Sequence, residues 1–264
     1  MSPEKPIPSE KIVVGLDIGT TKICAIVGKR NEFGKINILG LGKSHSHGVS
    51  RGGVVNIEKT VSAIKEAISE AEKQSGIKIE VVHVGIAGEH IRSMQHKGII
   101  TLSNPDFEIT YEDVNRLHED MFKIATQPGS EIIHVLPQEY VVDSQAGILD
   151  PVGMSGVRLE GNFHIVTGQT TAANNIYKCV VRAGLEVAEL ILEPLASSAA
   201  VLTDEEKEAG VCLVDIGGGT TDIAVFENNI IRHTAVIPFG GNIVTEDIKH
   251  GCKVMNKHAE LLKV

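Results

Sequence analysis

The sequence contains no tryptophan, and aromatic residues fill only 3% of its 264 positions. Too few aromatic platforms are present to suggest recognition of single-stranded nucleic acid by base stacking. Positive charge is also scarce: 25 Lys and Arg stand against 34 Asp and Glu, a formal net charge of −9. That balance lacks the basic footprint expected of a nucleic-acid binder. No stretch reaches the roughly 18 apolar residues of a spanning helix. Residues 1–11 have no apolar core of the signal-peptide kind and carry three prolines, so they read as a flexible tail. A cytosolic protein is expected. Cysteines are few (Cys24, Cys179, Cys212 and Cys252) and show no Cys-x-x-Cys spacing, which argues against a zinc or disulfide framework.

What is present is ordinary globular material, 42% hydrophobic and 22% charged, enough for one large domain or two modest ones. Strands are expected at Lys11 to Ile18, Ile23 to Val27 and Ile36 to Leu41. A glycine-rich loop from Gly48 to Gly53 follows. Asn56 then caps a helix with Ile57, Val61, Ile64, Ile68 and Ala71 on one face, and Gly76 stops it. A second segment, 81–162, opens with a strand from Val81 to Ala87. It contains a helix started by Thr110 and Asp113, and two strands, Ile132 to Leu136 and Tyr140 to Asp143, making a small α+β unit. From Phe163 the α/β pattern returns. It brings a strand to Thr167, a helix capped by Thr170 or Thr171, a strand at Leu190 to Leu192 and a helix at Pro194 to Leu202. The acidic run Asp204 to Glu208 reads as a solvated turn. Three strands follow at Val211 to Ile216, Asp222 to Phe226 and Ile230 to Val236, then a helical stretch from Asn242 to Val264.

One internal repeat stands out. Leu16-Asp-Ile-Gly-Thr-Thr-Lys-Ile-Cys-Ala-Ile-Val27 returns as Val214-Asp-Ile-Gly-Gly-Gly-Thr-Thr-Asp-Ile-Ala-Val225, about 200 residues later. Each copy is an apolar strand, an Asp, a glycine turn, two threonines and a second apolar strand. Glycine-rich hairpin turns gather backbone N–H groups into one concavity, and such nests attract anions. Gly19, Gly217, Gly218 and Gly219 let a ligand approach the backbone with no Cβ in the way. The hydroxyls of Thr20, Thr21, Thr220 and Thr221 can donate to phosphate oxygens, and Lys22 adds a cation. Asp17 and Asp215 stand where a hard cation on those phosphates would need carboxylates, with Mg²⁺ held mainly through its waters.

These two copies resemble the paired phosphate motifs of the actin, Hsp70 and sugar-kinase superfamily. Leu190-Ile-Leu-Glu-Pro-Leu-Ala-Ser-Ser-Ala199 is similar to the motif that connects them. The resemblance implies an α/β, actin-like (ribonuclease H-like) ATPase fold with ATP and Mg²⁺ in a cleft between two lobes. It places Asp17 and Asp215 around the metal and Glu193 near the γ-phosphate and its water, with Glu193 and Asp215 as the catalytic candidates. In actin and Hsp70 an extra subdomain sits between the third strand and the first helix, whereas here only Gly42 to Val55 fill that gap. The long insertion instead follows the first helix, as in the FtsA cell-division family and its pilus-assembly relative PilM. Leu136-Pro-Gln-Glu-Tyr140, Gly153, Met154, Gly156 to Leu159, Gly52 to Asn56 and Ile237-Pro-Phe-Gly-Gly-Asn242 resemble FtsA most.

That resemblance implies the following organisation: a tail at 1–11, a first lobe from 12–80 plus 163–200, an inserted subdomain at 81–162, and the start of a second lobe at 201–264. It implies a scaffold that tethers FtsZ filaments to the cytoplasmic face of the membrane, recruits later division proteins and self-associates into filaments. As an enzyme it would be at most a slow ATPase, with ATP mainly a structural ligand. Family members continue with a further subdomain, a Gly-Gly adenosine motif and a C-terminal amphipathic membrane helix. The chain is therefore expected to be a truncated form. A PilM-like pilus scaffold and a small-molecule kinase of the same superfamily are the alternative readings.

Overall fold

The computed structural model describes residues 12–102 and 108–263. The expected tail at 1–11, the expected strand start at Lys11 and the terminal Val264 lie outside the described residues. Strands β1 (Ile12–Ile18), β2 (Lys22–Arg30) and β3 (Ile36–His45) form an antiparallel meander. β3 runs past the expected Leu41 because its ladder with β2 continues to the pair Lys22 and His45. Polar Lys43 and Ser44 disguise that extension in the sequence. The expected glycine loop contains a small hairpin, β4 (Val49–Ser50) with β5 (Gly53–Val54). Helix α1 (Ile57–Ser75) has both of its expected caps: Asn56 Oδ1 accepts from Lys59 N, and Gly76 takes the left-handed conformation at φ 69°. Its buried stripe of Val61, Ile64, Ala67, Ile68 and Ala71 packs on β2 and β3, as an amphipathic period of 3.6 requires. β6 (Val81–Ile86) then lies parallel to β1.

The next elements build a separate sheet. They are β7 (Ile91–Thr101), α2 (Tyr111–Met121), β8 (Ser130–Val142), β9 (Gln145–Ile148) and β10 (Arg158–Gln169), with sheet order β7-β10-β8-β9. Helix α2 opens with a complete capping box between Thr110 and Asp113, worth about 1 kcal/mol. Leu117 and Met121 join Tyr140, Leu159, Phe163 and Ile165 in this sheet's own core. Three expectations are corrected here. β7 is a whole strand beyond those expected. The two strands expected on either side of Pro137 are one strand. At Pro137 β8 is paired on one side only, and the register slips between Asn162 and Phe163, passing over Gln138; an unpaired side and a bulge are where a missing N–H is tolerated. The boundaries expected at 81 and 163 also move. β6 belongs to the first sheet, while the strand read as Phe163 to Thr167 is the inner part of β10, which pairs along its length with β7 and β8.

Helix α3 (Thr170–Arg182) carries the chain back. Neither Thr170 nor Thr171 caps it; Gln169 holds the cap position without a side-chain bond. β11 (Glu186–Leu192) runs parallel to β6 and completes a five-stranded sheet, β11-β6-β1-β2-β3. Helix α4 (Glu193–Val201) leads away from it and packs against both β11 and the next sheet. The acidic run expected as a turn is a short helix, α5 (Asp204–Ala209), because Thr203 and Glu206 form a second capping box. β12 (Val211–Ile216), β13 (Thr221–Glu227) and β14 (Ile230–Ile237) make an antiparallel meander. The final helical stretch is two helices, α6 (Gly241–Cys252) and α7 (Asn256–Lys263), separated where Lys253 turns left-handed at φ 52°. One face of β12 is bare: Val214 and Ile216 are 49% and 69% exposed.

The inserted sheet also touches β14. Gln138 Nε2 donates to Ile231 O at 2.6 Å, Ser93 Oγ to Thr234 O at 3.1 Å and Gln95 Nε2 to Arg232 O at 3.2 Å. His164 Nε2 lies 3.0 Å from Thr234 Oγ1. The bulge that accommodates Pro137 thus adjoins the residue, Gln138, that reaches across this seam.

Candidate functional site

The two copies of the repeat are the β1–β2 and β12–β13 hairpins, and their turns meet. A Cβ on Gly218 would collide with Thr21 Oγ1, and one on Gly219 would lie 2.6 Å from Thr20 Oγ1. Glycine is the residue type that permits so close an approach. The second turn is closed by a bond from Gly217 N to Thr220 O at 2.9 Å. The segment 237–242 folds back over it: Gly241 N donates to Gly217 O and Asn242 N to Gly218 O, each at 2.9 Å. Thr221 Oγ1 donates to Phe239 O at 2.9 Å, so its proton is engaged within the protein. At the turn tips, the N–H groups of Thr20, Thr21, Gly218 and Gly219 donate to no acceptor among the described residues. Backbone donors gathered and left free in this way make an anion-accepting concavity.

Behind the turns lie four carboxylates. Asp17 and Asp215 come from the ends of β1 and β12. Asp222 stands directly opposite Asp215 in the ladder, and Glu193 is the first residue of α4. Ser197 Oγ donates to Asp215 Oδ2 at 2.9 Å. Burial raises the pKa of Asp17, Lys22 draws it back, and Asp215 raises it further. Burial, and then the charges of Asp17, Asp222 and Asp215, push Glu193 up to about 8. Asp222 rises to about 6 through burial, opposed by a bond from the Thr220 hydroxyl and reinforced by Asp215. Its Oδ1 is buried and has no hydrogen-bond partner. A buried, unpartnered carboxylate oxygen is costly. Together with the mutual repulsion, it marks a place where a cation would be stabilising. Among the described residues no group of three His, Cys, Asp or Glu side chains is placed to hold a metal ion directly.

Two cavities flank the meeting point. One, of about 380 Å³, is lined by Asp17, Lys22, Glu193, Ser197 and Asp215 among others. The other, of about 180 Å³, is lined by Thr20, Gly218, Gly219, Arg51, Asn242 and Glu246 among others. All the sequence-derived candidates, Asp17, Gly19, Thr20, Thr21, Lys22, Glu193, Asp215, Gly217, Gly218, Gly219, Thr220 and Thr221, lie on the two turns, their flanking strands and the start of α4. Sequence reasoning missed Asp222 and Ser197 as site residues. Asp222 was within reach: counting back across a hairpin that starts at Asp215 pairs the two.

Comparison with known proteins bears on the same elements. The family model described as "SHS2 domain inserted in FTSA" matches residues 88–167, the span of the inserted sheet as the strand pairing defines it. The model described as "Cell division protein FtsA" matches residues 212–264. Among curated relatives, the cell division protein FtsA of Pseudomonas aeruginosa is 48% identical over 98% of this chain and 61% of its own length. That of Neisseria meningitidis serogroup B is 45% identical over 97% and 61%, and that of Escherichia coli K12 43% over 96% and 60%. The chain thus spans about three fifths of the length of these relatives. Of solved structures, the PilM–PilN type IV pilus biogenesis complex superposes with a TM-score of 0.71 at 16% identity, covering 95% of this chain and 68% of that one. The ethanolamine utilization protein EutJ from Carboxydothermus hydrogenoformans gives 0.55 at 20%, covering 97% and 62%. At such identities these two speak for a shared fold alone, the actin-like α/β fold. With the paired turns, the inserted sheet in its characteristic place and sequence identity sustained across nearly the whole chain, this protein belongs to the FtsA family of cell-division proteins.

Proposed function

We propose that this chain forms the phosphate-gripping and self-assembling part of an actin-like scaffold of bacterial cell division. The observation that carries the reading is the contact of the two glycine turns in front of four mutually repelling carboxylates. The free N–H groups of both turns and the hydroxyls of Thr20 and Thr21 would hold the phosphates of ATP. Asp17, Asp215 and Asp222 would hold Mg²⁺ through its waters, and Glu193 would face the terminal phosphate. When bound, the cation neutralises charge on both the phosphates and the carboxylates. Nothing in this arrangement requires rapid hydrolysis, and ATP serves here as a structural ligand. For the whole protein, family membership supports a tether that links FtsZ filaments and later division proteins to the cytoplasmic face of the membrane. No helix among the described residues is long and apolar enough to cross a bilayer. The inserted sheet is the proposed contact to a neighbouring copy in a filament.

The test is titration calorimetry of the 264-residue chain with ATP, with and without Mg²⁺, alongside Asp215→Asn. The expected result is Mg²⁺-dependent binding that the substitution weakens at least tenfold, about 1.4 kcal/mol. Without Mg²⁺ the two proteins should differ little. No Mg²⁺-dependent binding by the folded chain, or equal affinity in the variant, would overturn the reading.

A further inference from the structure

The hairpin between β3 and α1 reaches the smaller of the two cavities through Arg51. Ser50 pairs with Gly53, so Arg51 and Gly52 are the two residues of its turn. Both are left-handed, at φ 48° and 75°. Turns of this kind favour Asn, Asp or Gly at both positions. Gly52 has a steric reason to be there, since a Cβ would lie 2.6 Å from Ala87 O. Arg51 has none, and a branchless cation in this conformation is an outlier of the kind that gathers at functional sites.

The hairpin tip is also docked. Gly52 N lies 3.4 Å from Thr20 Oγ1 as donor to acceptor, and Arg51 N lies 3.1 Å from where a Cβ of Gly219 would stand. Val49 is buried behind it, and Gly48 O accepts from both Val55 N and Asn56 N. Three loops from distant parts of the chain therefore converge, and Arg51 lines the 180 Å³ cavity between them. Its guanidinium has no ion pair or hydrogen bond among the described residues. The carboxylate on that cavity, Glu246, is already paired with Lys249 and His250. Lys22 lines the other cavity, with the carboxylates.

From this geometry we infer that Arg51 is a further binding residue of the site, supplying the guanidinium that meets the outer phosphate oxygens of the nucleotide. Arginine suits the role because its planar fork matches phosphate and never loses its charge. Bound phosphate would then hold the docked hairpin tip against the two turns. The inference rests on the nucleotide reading above, and its test separates the two. Arg51→Asn places a better turn residue at φ 48°, so the thermal midpoint of the variant should rise or hold. Its affinity for Mg-ATP should fall about tenfold, with a smaller loss for ADP and a shallower salt dependence. Arg51→Lys should recover part of the loss. A folded Arg51→Asn chain that binds Mg-ATP as tightly as wild type would overturn the role of Arg51 and leave the nucleotide reading standing. A wild-type chain that binds no nucleotide would overturn both.

Discussion

Acidification should loosen the seam between the inserted sheet and β14, and the size of the effect follows from one side chain. His164 on β10 is 1% exposed. Its Nε2 meets Thr234 Oγ1, while its Nδ1 is buried without a partner. Burial, helped by the charge of nearby His233, lowers its pKa from 6.5 to about 4. Above the unfolded value the ring is neutral in both states and contributes nothing to the pH dependence. As pH falls below about 6.5 the unfolded chain takes up a proton that the folded chain refuses, so stability is lost. The loss is about 2 kcal/mol by about pH 5 and approaches about 3 kcal/mol below about pH 4, at 1.36 kcal/mol per unit. The assay is urea unfolding of wild type and His164→Gln at about pH 7.5 and about pH 5. Glu193 and Asp222 have raised values and move stability the opposite way on acidification, so only the difference between the two proteins reports on His164. Wild type should lose about 2 kcal/mol more than the variant over that interval. Equal losses, within about 0.5 kcal/mol, would refute the assignment.

Two further outcomes are expected. Glu193→Gln removes a carboxyl whose pKa is raised to about 8, so the folded state no longer forgoes an ionisation that the unfolded state enjoys. The variant should gain on wild type as pH rises from about 5 to about 8, by about 1 to 2 kcal/mol after discounting for its partial exposure; a gain that shrinks with pH would count against the cluster. Cys212 and Cys252 are exposed while Cys24 and Cys179 are buried, and burial pushes the Cys179 thiol up to about 11. Native chain should therefore react promptly with an aromatic disulfide reagent at the two exposed thiols, and at Cys24 and Cys179 only on unfolding. Prompt reaction at all the cysteines would contradict the packing of α3 on the first sheet.

The sequence disclosed most where local chemistry and tertiary structure agree. Asn56 and Gly76 delimit α1 by capping rules that need no knowledge of the rest of the chain. The repeat around Asp17 and Asp215 foretold that two turns 200 residues apart come together, because the same glycine chemistry recurs at each. Sheet membership was opaque. Alternation shows that Val81 to Ile86 and Phe163 to Thr167 are strands, yet nothing in their pattern says that the first pairs with β1 and the second with β7. β7 itself was hidden because it is an edge strand. Residues 92–97 are exposed or half-buried and carry no apolar alternation, as protected edges do. Arg51 was invisible for a different reason: its significance lies in a left-handed φ and in neighbours contributed by the two turns, neither of which leaves a mark in the sequence.

The relation between the two lobes is set at two places that pull against each other. At the cleft, Asp17, Asp215, Asp222 and Glu193 repel one another with Lys22 as the nearby cation that offsets them, so charge favours separating β1 from β12. On the far side, the bonds from Gln138, Ser93 and Gln95 to β14 hold the second lobe to the inserted sheet. Helix α4, packed against β11, β12 and β13, spans the gap. On the proposed function, a hydrated cation with its phosphates reverses the sign of the first effect and leaves the second untouched. Binding alone therefore suffices to hold the touching turns in place, and since β14 is fastened to the insert, the proposed filament-contact sheet is held with them. A nucleotide acting this way needs only a higher affinity for the closed arrangement than for an opened one, and on the proposed function that difference is what couples the buried charge of the cleft to assembly.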